Sequence, residues 1–171
     1  MKKWYVLFTK SGCEEKVGKI IKKIWENEIE VLIPRRKIIE RIKGEEREKI
    51  KLLFPGYVFV KTEMTEAKYH EITSVLKQGV FLKEDKMPAS VKEGEMRVIL
   101  NLTGDSDLID VSRGVKEGDR VKIIEGPLLG YEGFIQKVDK RKKRAKVIFK
   151  VAGEVKSVDL GLEIVEKIVL V

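Results

Sequence analysis

Residues 53–61 read LFPGYVFVK. The Pro-Gly pair predicts a tight turn, because proline presets one turn position and glycine tolerates the next. The apolar run 57–60 that follows is typical of a buried strand. Alternate residues of a strand share a face, so Tyr57 and Phe59 should point one way and Val58 the other. This stretch therefore predicts a sheet with two aromatic side chains on one of its faces.

The residues towards the N-terminus predict a strand and a helix beside this turn. WYVLF (4–8) is apolar and β-rich, as in a strand that is buried on both faces. Ser11 and Glu14 have the spacing of a helix-capping box. Beyond them, apolar residues recur at helical spacing and predict one buried helix face. Those residues are Val17, Ile20, Ile21, Ile24 and Trp25.

The charged segment before the turn and the residues after it predict further elements. In 35–51, RRKIIERIKGEEREKIK, the Lys-Gly pair predicts the tip of a hairpin. After the turn, Thr65 is placed to cap a helix over 66–77. GVFL (79–82) predicts another strand, and Ser90 with Glu93 predicts a second capping box and a helix near 91–102.

The last third of the chain has a different pattern. TGDSDLIDVS (103–112) is short and polar, as expected of a linker. The rest has frequent turn signals and no helical pattern, which predicts a small β-barrel. The five segments predicted as its strands are RVKIIE, EGFIQKV, AKVIFKV, EVKSVDL and LEIVEKI.

Composition excludes several classes of protein. The 171 residues contain one Cys and one His, so no internal disulfide forms and no cluster of metal ligands exists at useful spacing. No apolar run approaches the roughly 20 residues that span a bilayer. No motif for nucleophilic, metal-dependent or phosphate-loop chemistry occurs. We therefore expect a cytoplasmic, monomeric protein without cofactor, metal or membrane contact that is not an enzyme.

Positive charge is concentrated in the C-terminal part. Residues 1–110 contain 22 Lys/Arg and 19 Asp/Glu, whereas residues 111–171 contain 14 and 9. KRKKRAK (140–146) places six cations in seven positions. A dense basic segment favours a polyanionic partner, because neutralising phosphates releases their counterions.

Together these segments resemble the NusG-type family of transcription elongation factors. FPGYVFV (54–60) and QGVFL (78–82) are similar to its amino-terminal domain, called NGN, and VKEGDRVKIIEGPLLGYEGFIQKVD (115–139) is similar to a KOW motif. The resemblance implies an α+β fold. An antiparallel sheet flanked by helices (1–102) is followed by the linker 103–112 and a five-stranded SH3-like KOW barrel (113–171).

The resemblance also implies a docking site for RNA polymerase. Family members bind the clamp helices of its largest subunit through an aromatic pocket. The matching residues here are Phe8, Phe54, Tyr57 and Phe59. From burial statistics alone, aromatic residues at such positions are more often core residues.

Two further surfaces are candidate nucleic-acid contacts. In the family the hairpin at 35–51 reaches towards the upstream DNA or the opposite lobe of the polymerase, but the glutamates between its cations favour a self-paired, solvated hairpin. The barrel is predicted to bind RNA, and we expect this RNA to be a hairpin. The alternative for its basic segment is a solvated turn. The predicted RNA-binding residues are Arg120, Lys122, Lys137, Lys140, Arg141, Lys142, Lys143, Arg144, Lys146 and, by stacking on a base, Tyr131.

The barrel departs from the family at its protein-binding positions. Leu128 stands in the loop where an aromatic residue is usual, and VAGE (151–154) has Ala152 and Glu154 where Phe and Arg are usual. These departures favour a specialised processive antiterminator of the LoaP branch, recruited through RNA. The alternative is a general elongation factor whose barrel binds Rho or a ribosomal protein. A ribosome-associated KOW protein is the third hypothesis, and FPGYVFV argues against it.

Overall fold

A computed structural model describes residues 1–77 and 79–166, and these divide into two compact units. Unit 1 consists of Met1–Ile33 and Phe54–Met96, and unit 2 consists of Pro34–Leu53 and the described residues from Arg97 onward. Three α-helices are present in the described residues: α1 (Glu14–Ile24), α2 (Glu66–Val75) and α3 (Glu93–Thr103). The strands in unit 1 are β1 (Lys3–Phe8), β2 (Glu30–Leu32), β5 (Tyr57–Thr62), β6 (Val80–Phe81), β7 (Lys83–Glu84) and β8 (Met87–Pro88). The strands in unit 2 are β3 (Arg35–Ile42), β4 (Glu45–Leu52), β9 (Leu108–Ile109), β10 (Ser112–Glu117), β11 (Arg120–Glu125), β12 (Ile135–Asp139), β13 (Arg144–Val151) and β14 (Glu154–Val165).

Unit 1 is built on a four-stranded antiparallel sheet in the order β2-β5-β1-β6. Its central pair, β1 and β5, is buried nearly throughout, which explains the continuous apolar character of both segments. Helix α1 packs on β2 and β5, burying Val17, Ile21 and Trp25 as its spacing predicts. Ile24, predicted on the same face, is instead exposed.

Caps were predicted for three helices, and only one of the three predictions is confirmed. The predicted capping box at Ser90 does not form, because α3 begins at Glu93 and Ser90 makes an isolated β-bridge with Tyr5. Thr65 accepts a hydrogen bond from the Lys68 amide at 3.0 Å and caps α2, as predicted. The predicted capping box at Ser11 does not form, because α1 begins at Glu14 and Cys13 occupies the cap position without a side-chain hydrogen bond. The Glu14 carboxylate instead accepts hydrogen bonds from the backbone amides of Gly12 and Gly56.

The charged segment of unit 2 forms the predicted hairpin, β3 with β4. Lys43 and Gly44 lie at its tip with φ angles of 51° and 80°, as a two-residue turn with two left-handed positions requires. On its other side β3 pairs in parallel with β9. Residues 108–109 therefore belong to a sheet, although they lie within the segment predicted as a linker. The division of the chain at 103–112 stays a prediction.

The five-stranded C-terminal sheet has the order β11-β10-β14-β13-β12. The number of strands agrees with the prediction, and three predicted segments, RVKIIE, EGFIQKV and AKVIFKV, contain or overlap β11, β12 and β13. The other two predicted strands differ from the structure. EVKSVDL and the LEIV that follows are one continuous strand, β14, and the fifth strand is β10. Strand β14 pairs with β13 in antiparallel and with β10 in parallel orientation. The end of the predicted segment LEIVEKI and Gln78 of the predicted QGVFL segment lie outside the described residues.

Strand β3 of the hairpin contacts strand β14 of the C-terminal sheet within unit 2. The Arg36 guanidinium donates a hydrogen bond to the carbonyl oxygen of Asp159 at 2.6 Å. A Cβ atom at Gly161 would lie 2.7 Å from the carbonyl oxygen of Lys37, so only glycine permits this close approach. The hairpin is therefore held against the sheet by backbone contact as well as by side chains.

None of the helices in the described part of the chain is long and apolar enough to cross a membrane.

Candidate nucleic-acid interface

The basic segment forms the turn between β12 and β13, as expected of an exposed corner. We call residues Lys140–Arg144 the basic turn. The Lys142 amide donates a hydrogen bond to the Asp139 carboxylate at 2.9 Å, and Lys143 adopts the left-handed conformation with a φ of 57°. Lys140, Arg141 and Lys142 are exposed, while Lys143 and Arg144 are half-buried. Three cations therefore project into solvent from a turn with a defined backbone conformation.

Two more lysines flank the basic turn on neighbouring strands. Lys137 of β12 and Lys146 of β13 are direct partners in the antiparallel register, and both are exposed. Like charges at directly opposite positions destabilise a sheet, whereas an anion bound between them would offset the repulsion. The cationic surface thus extends from the turn onto both strands.

Carboxylates of the hairpin contact the two half-buried cations of the basic turn. Lys143 Nζ lies 2.9 Å from Glu46 Oε2, and this hydrogen bond is the main reason why the pKa of Lys143 is raised. Arg144 lies 3.6 Å from Glu40 and 3.9 Å from Asp159. Glu40 also accepts a hydrogen bond from Lys51 at 2.7 Å, which chiefly lowers the pKa of Glu40. These glutamates, interpreted from sequence as self-paired within the hairpin, pair with the turn as well.

A cleft lies between the hairpin and the basic turn. Its volume is about 430 Å³, and it is lined by residues 39–41 and Glu46 of the hairpin and by residues 141–144 of the turn. Five lining side chains are cationic and two are anionic. The lining therefore carries an excess of positive charge.

Arg120 and Lys122 do not join this surface through strand pairing. Both are exposed and share one face of β11, as alternation predicts. However, β11 and β12 stand at opposite ends of the strand order, with three strands between them. Their predicted contact with RNA stays a prediction.

Tyr131 lies at the opposite end of β12 from the basic turn. It stands just before the short 3₁₀ turn Glu132–Phe134, which leads into the first residue of β12. The five residues of β12 span roughly 15–17 Å. The Tyr131 hydroxyl accepts a hydrogen bond from Asn101 at 2.7 Å, and its ring lies 5.7 Å from that of Phe134. Nearby Leu128 is buried, whereas Leu129 is exposed.

The four predicted docking residues form one aromatic cluster in unit 1. The Phe8 and Tyr57 rings meet edge to face at 5.0 Å, and Phe54 lies 5.6 Å from Tyr57 and 6.2 Å from Phe59. Tyr57 and Phe59 share a face, as the alternation in β5 predicts. Phe54, Tyr57 and Phe59 are buried, and Phe8 is half-buried. Phe8 is the most accessible member of the cluster.

Glu14 holds the turn that precedes this cluster. Its carboxylate is 1% exposed and accepts hydrogen bonds from the amides of Gly12 at 2.6 Å and Gly56 at 2.9 Å. Burial raises the pKa of Glu14, but the bonds from Gly56 and from the amides of its own loop outweigh burial and lower the pKa overall. Sequence reasoning missed this role, because Gly56 is 42 residues away and Glu14 resembled a capping residue.

Comparison with known proteins gives consistent matches. The family model described as "Transcription termination factor nusG" matches residues 2–100. The transcription termination/antitermination protein NusG of Haemophilus influenzae is 32% identical over 176 residues, covering 98% of this chain and 95% of that protein. Its counterpart in Pasteurella multocida is 33% identical, covering 97% and 95%. A solved structure titled "Domain interaction in Thermotoga maritima NusG" has a TM-score of 0.60 at 32% identity and covers 94% of each chain.

Proposed function

This chain belongs to the NusG family of transcription termination and antitermination factors, and from its departures at Leu128, Ala152 and Glu154 together with the basic turn we propose that it is a specialised processive antiterminator of the LoaP branch. Unit 1 would dock on the clamp helices of RNA polymerase. The C-terminal sheet, as an SH3-like KOW barrel, would bind an RNA hairpin and so recruit the factor.

The observation that carries the RNA-binding proposal is the arrangement of cations around the basic turn. Lys140, Arg141 and Lys142 are exposed on a turn whose backbone is hydrogen-bonded into shape. Lys137 and Lys146 face each other beside it. Sheet stability alone disfavours such a pair, and phosphate binding offers the compensation. Because point charges read the RNA backbone and not its sequence, specificity would come from the shape of a hairpin.

The proposal is tested by measuring the affinity of the full chain for RNA hairpins at several salt concentrations. Changing Lys140, Arg141 and Lys142 to Ala should reduce the slope of log affinity against log salt by roughly 2–3, at about 0.7–0.9 per phosphate contact. The matched control is the triple change of Lys19, Lys22 and Lys23 to Ala. That control removes the same charge from the exposed face of α1 and should leave the slope nearly unchanged.

Two results would overturn RNA recruitment. One is an equal loss of affinity in the turn variant and the α1 control, which would mean that only net charge matters. The other is equal affinity of the unchanged protein for hairpins and for scrambled single strands, which would mean that RNA shape is not recognised.

The aromatic cluster supports the docking proposal. Aromatic side chains provide large, rigid contact area with few rotatable bonds, and Tyr adds a hydroxyl that can pair with a polar partner. Phe8, being half-buried, would make direct contact, while Phe54 and Phe59 would hold it and Tyr57 in place.

Docking is tested with variants that spare the core. Phe59→Ala is unsuitable, because emptying a fully buried site costs about 3–5 kcal/mol of stability. Phe8→Ala should weaken binding to a clamp-helix fragment roughly tenfold, and Tyr57→Phe should weaken it less. Phe134→Ala, an exposed Phe in unit 2, is the matched control. Unchanged affinity of Phe8→Ala, with an unchanged melting temperature, would remove this docking assignment.

One observation favours the alternative of a general elongation factor whose barrel binds a protein partner, such as Rho or a ribosomal protein. Leu129 and Phe134 are 56% and 41% exposed in the loop that contains Tyr131. Apolar side chains grouped on a surface are typical of protein interfaces. Titration of the full chain with the ribosomal protein, followed by NMR, would favour this alternative if resonances of 128–134 shift while RNA leaves the basic turn unaffected.

A further inference from the structure

The cleft between the hairpin and the basic turn contains cations from both elements of unit 2. Arg41 comes from β3, and Arg141, Lys142, Lys143 and Arg144 come from the turn. Arg41 and Lys143 line the same cleft, and the charge of Arg41 opposes the rise in the pKa of Lys143 that the hydrogen bond to Glu46 causes. Such an assembly of like charges becomes favourable when an anion enters it.

The two carboxylates in the cleft are already engaged with cations. Glu46 contacts Lys143, and Glu40 contacts both Arg144 and Lys51. Arg41 stands directly opposite Glu46 in the hairpin register, and Arg41 is exposed. Pairing of both carboxylates leaves a net positive surface at the cleft mouth, formed by Arg41 and the exposed part of the turn.

Arg144 provides an independent sign of unfilled hydrogen-bonding capacity. Within residues 1–77 and 79–166, its Nε atom is buried and has no hydrogen-bond partner. A buried guanidinium donor without an acceptor costs free energy that a bound oxyanion would recover. Arginine is also the side chain whose planar fork best matches the oxygens of a phosphate.

We infer that this cleft is a phosphate-binding site for the RNA backbone, so that the hairpin and the basic turn together form one RNA-binding surface. The inference rests on the proposed RNA-binding function and adds Arg41 of the hairpin to it. The contacts of Arg36 with Asp159 and of Lys37 with Gly161 hold the hairpin in place as the second wall of the cleft. A phosphodiester contacted in the cleft would continue along the turn towards Lys137 and Lys146.

In this arrangement Glu46 competes with RNA. Glu46 forms an ion pair with Lys143, and a phosphate that binds Lys143 must displace the Glu46 carboxylate or bind beside it. The carboxylate therefore sets an electrostatic threshold that favours polyanions over single phosphates, because several phosphate contacts are needed to outweigh it.

The test measures the affinity of the full chain for an RNA hairpin at several salt concentrations and compares three single variants with the unchanged protein. Arg41→Ala should weaken binding roughly fivefold at 0.1 M salt and reduce the salt slope by about 0.7–0.9, as for one lost phosphate contact. Glu46→Gln should strengthen binding severalfold. Arg47→Ala is the matched control, because Arg47 lies on the same hairpin but does not line the cleft. Its exposed pair with Glu45 contributes little to the fold.

The outcomes separate this inference from the proposed function. If the unchanged protein binds no RNA hairpin, both fail. If it binds, and the turn variant loses affinity while Arg41→Ala behaves like Arg47→Ala, RNA recruitment stands and the composite cleft is refuted. Weaker binding by Glu46→Gln would likewise refute competition by the carboxylate. NMR signals of the guanidinium N–H groups of Arg41 and Arg144 in the unchanged protein should shift on RNA addition.

Discussion

Replacing Glu14 by glutamine should destabilise unit 1 out of proportion to the size of the change. The carboxylate is buried and accepts two backbone hydrogen bonds, from Gly12 and Gly56. An amide has one accepting oxygen, so one of the two backbone N–H groups would face an NH₂ group instead. A hydrogen bond to a charged acceptor contributes about 1.5–3 kcal/mol, and a buried donor left unpaired costs about 1–3 kcal/mol. We therefore expect a loss of roughly 2–3 kcal/mol.

Tryptophan fluorescence is a selective assay for this loss. Trp4 and Trp25 are the only tryptophans of the chain, and both are buried in unit 1. For a body of this size, 1 kcal/mol corresponds to roughly 4–8 °C in Tm, so the variant should melt about 10–20 °C lower. Glu15→Gln is the matched control, because Glu15 is the exposed neighbour in the same first helical turn. Its effect should stay within about 0.5 kcal/mol.

The pH dependence provides a second readout with a definite sign. The pKa of Glu14 is lower in the folded protein than in the unfolded chain. Its contribution is therefore fully present above the unfolded value of about 4.3 and is lost as pH falls through the folded value. The Glu14→Gln variant should lose this part of the acid sensitivity. A Tm within 2 °C of the unchanged protein, roughly the effect of 0.5 kcal/mol, would refute the proposed role of Glu14.

Three further variants test features of unit 1 and unit 2. Lys146→Glu should stabilise the β12–β13 pair by about 0.2–1 kcal/mol, because it removes the repulsion with Lys137, and it should weaken RNA binding. Hydrogen exchange measures the first effect and RNA affinity the second; if strand stability and RNA affinity both fall or both rise, this reasoning is contradicted. Gly161→Ala should cost about 1–3 kcal/mol by forcing β14 away from Lys37, which faster amide exchange over 35–52 would reveal. Thr65→Ala should cost about 1 kcal/mol by removing the cap of α2, and tryptophan fluorescence would measure it; an unchanged Tm would refute the capping role.

Local sequence patterns predicted the elements whose signals lie within a few residues. The turn at Lys43, the strand after Gly56 and the cap at Thr65 are confirmed, because turn chemistry and capping depend on adjacent residues. The capping box at Ser11 was wrong, since Glu14 finds a partner across the unit. The strand β14 was predicted as two segments on either side of Gly161, whereas this glycine lies within the strand and permits the close approach to Lys37.

The candidate site was predictable to the same extent. The exposed basic turn was located from its charge run between two strands, and its position is confirmed. The contact of Lys143 with Glu46, 97 residues away, has no local signal. The place of β11 at the opposite end of the strand order from β12 likewise has no local signal, because the alternation of side chains does not reveal which strands pair.

The hydrogen bond between Arg36 and Asp159 has a consequence for synthesis of the protein on the ribosome. Its two residues are 123 positions apart. A hairpin closes within microseconds once Leu52 has been added, whereas the ribosome needs roughly 5–20 s to continue from there to Asp159 at about 5–20 residues per second. Throughout this interval the strand that will receive the hairpin has not been made. The nascent chain thus carries a finished ribbon with an open, highly charged edge, and its charges help to keep it from associating with neighbouring chains until β14 emerges.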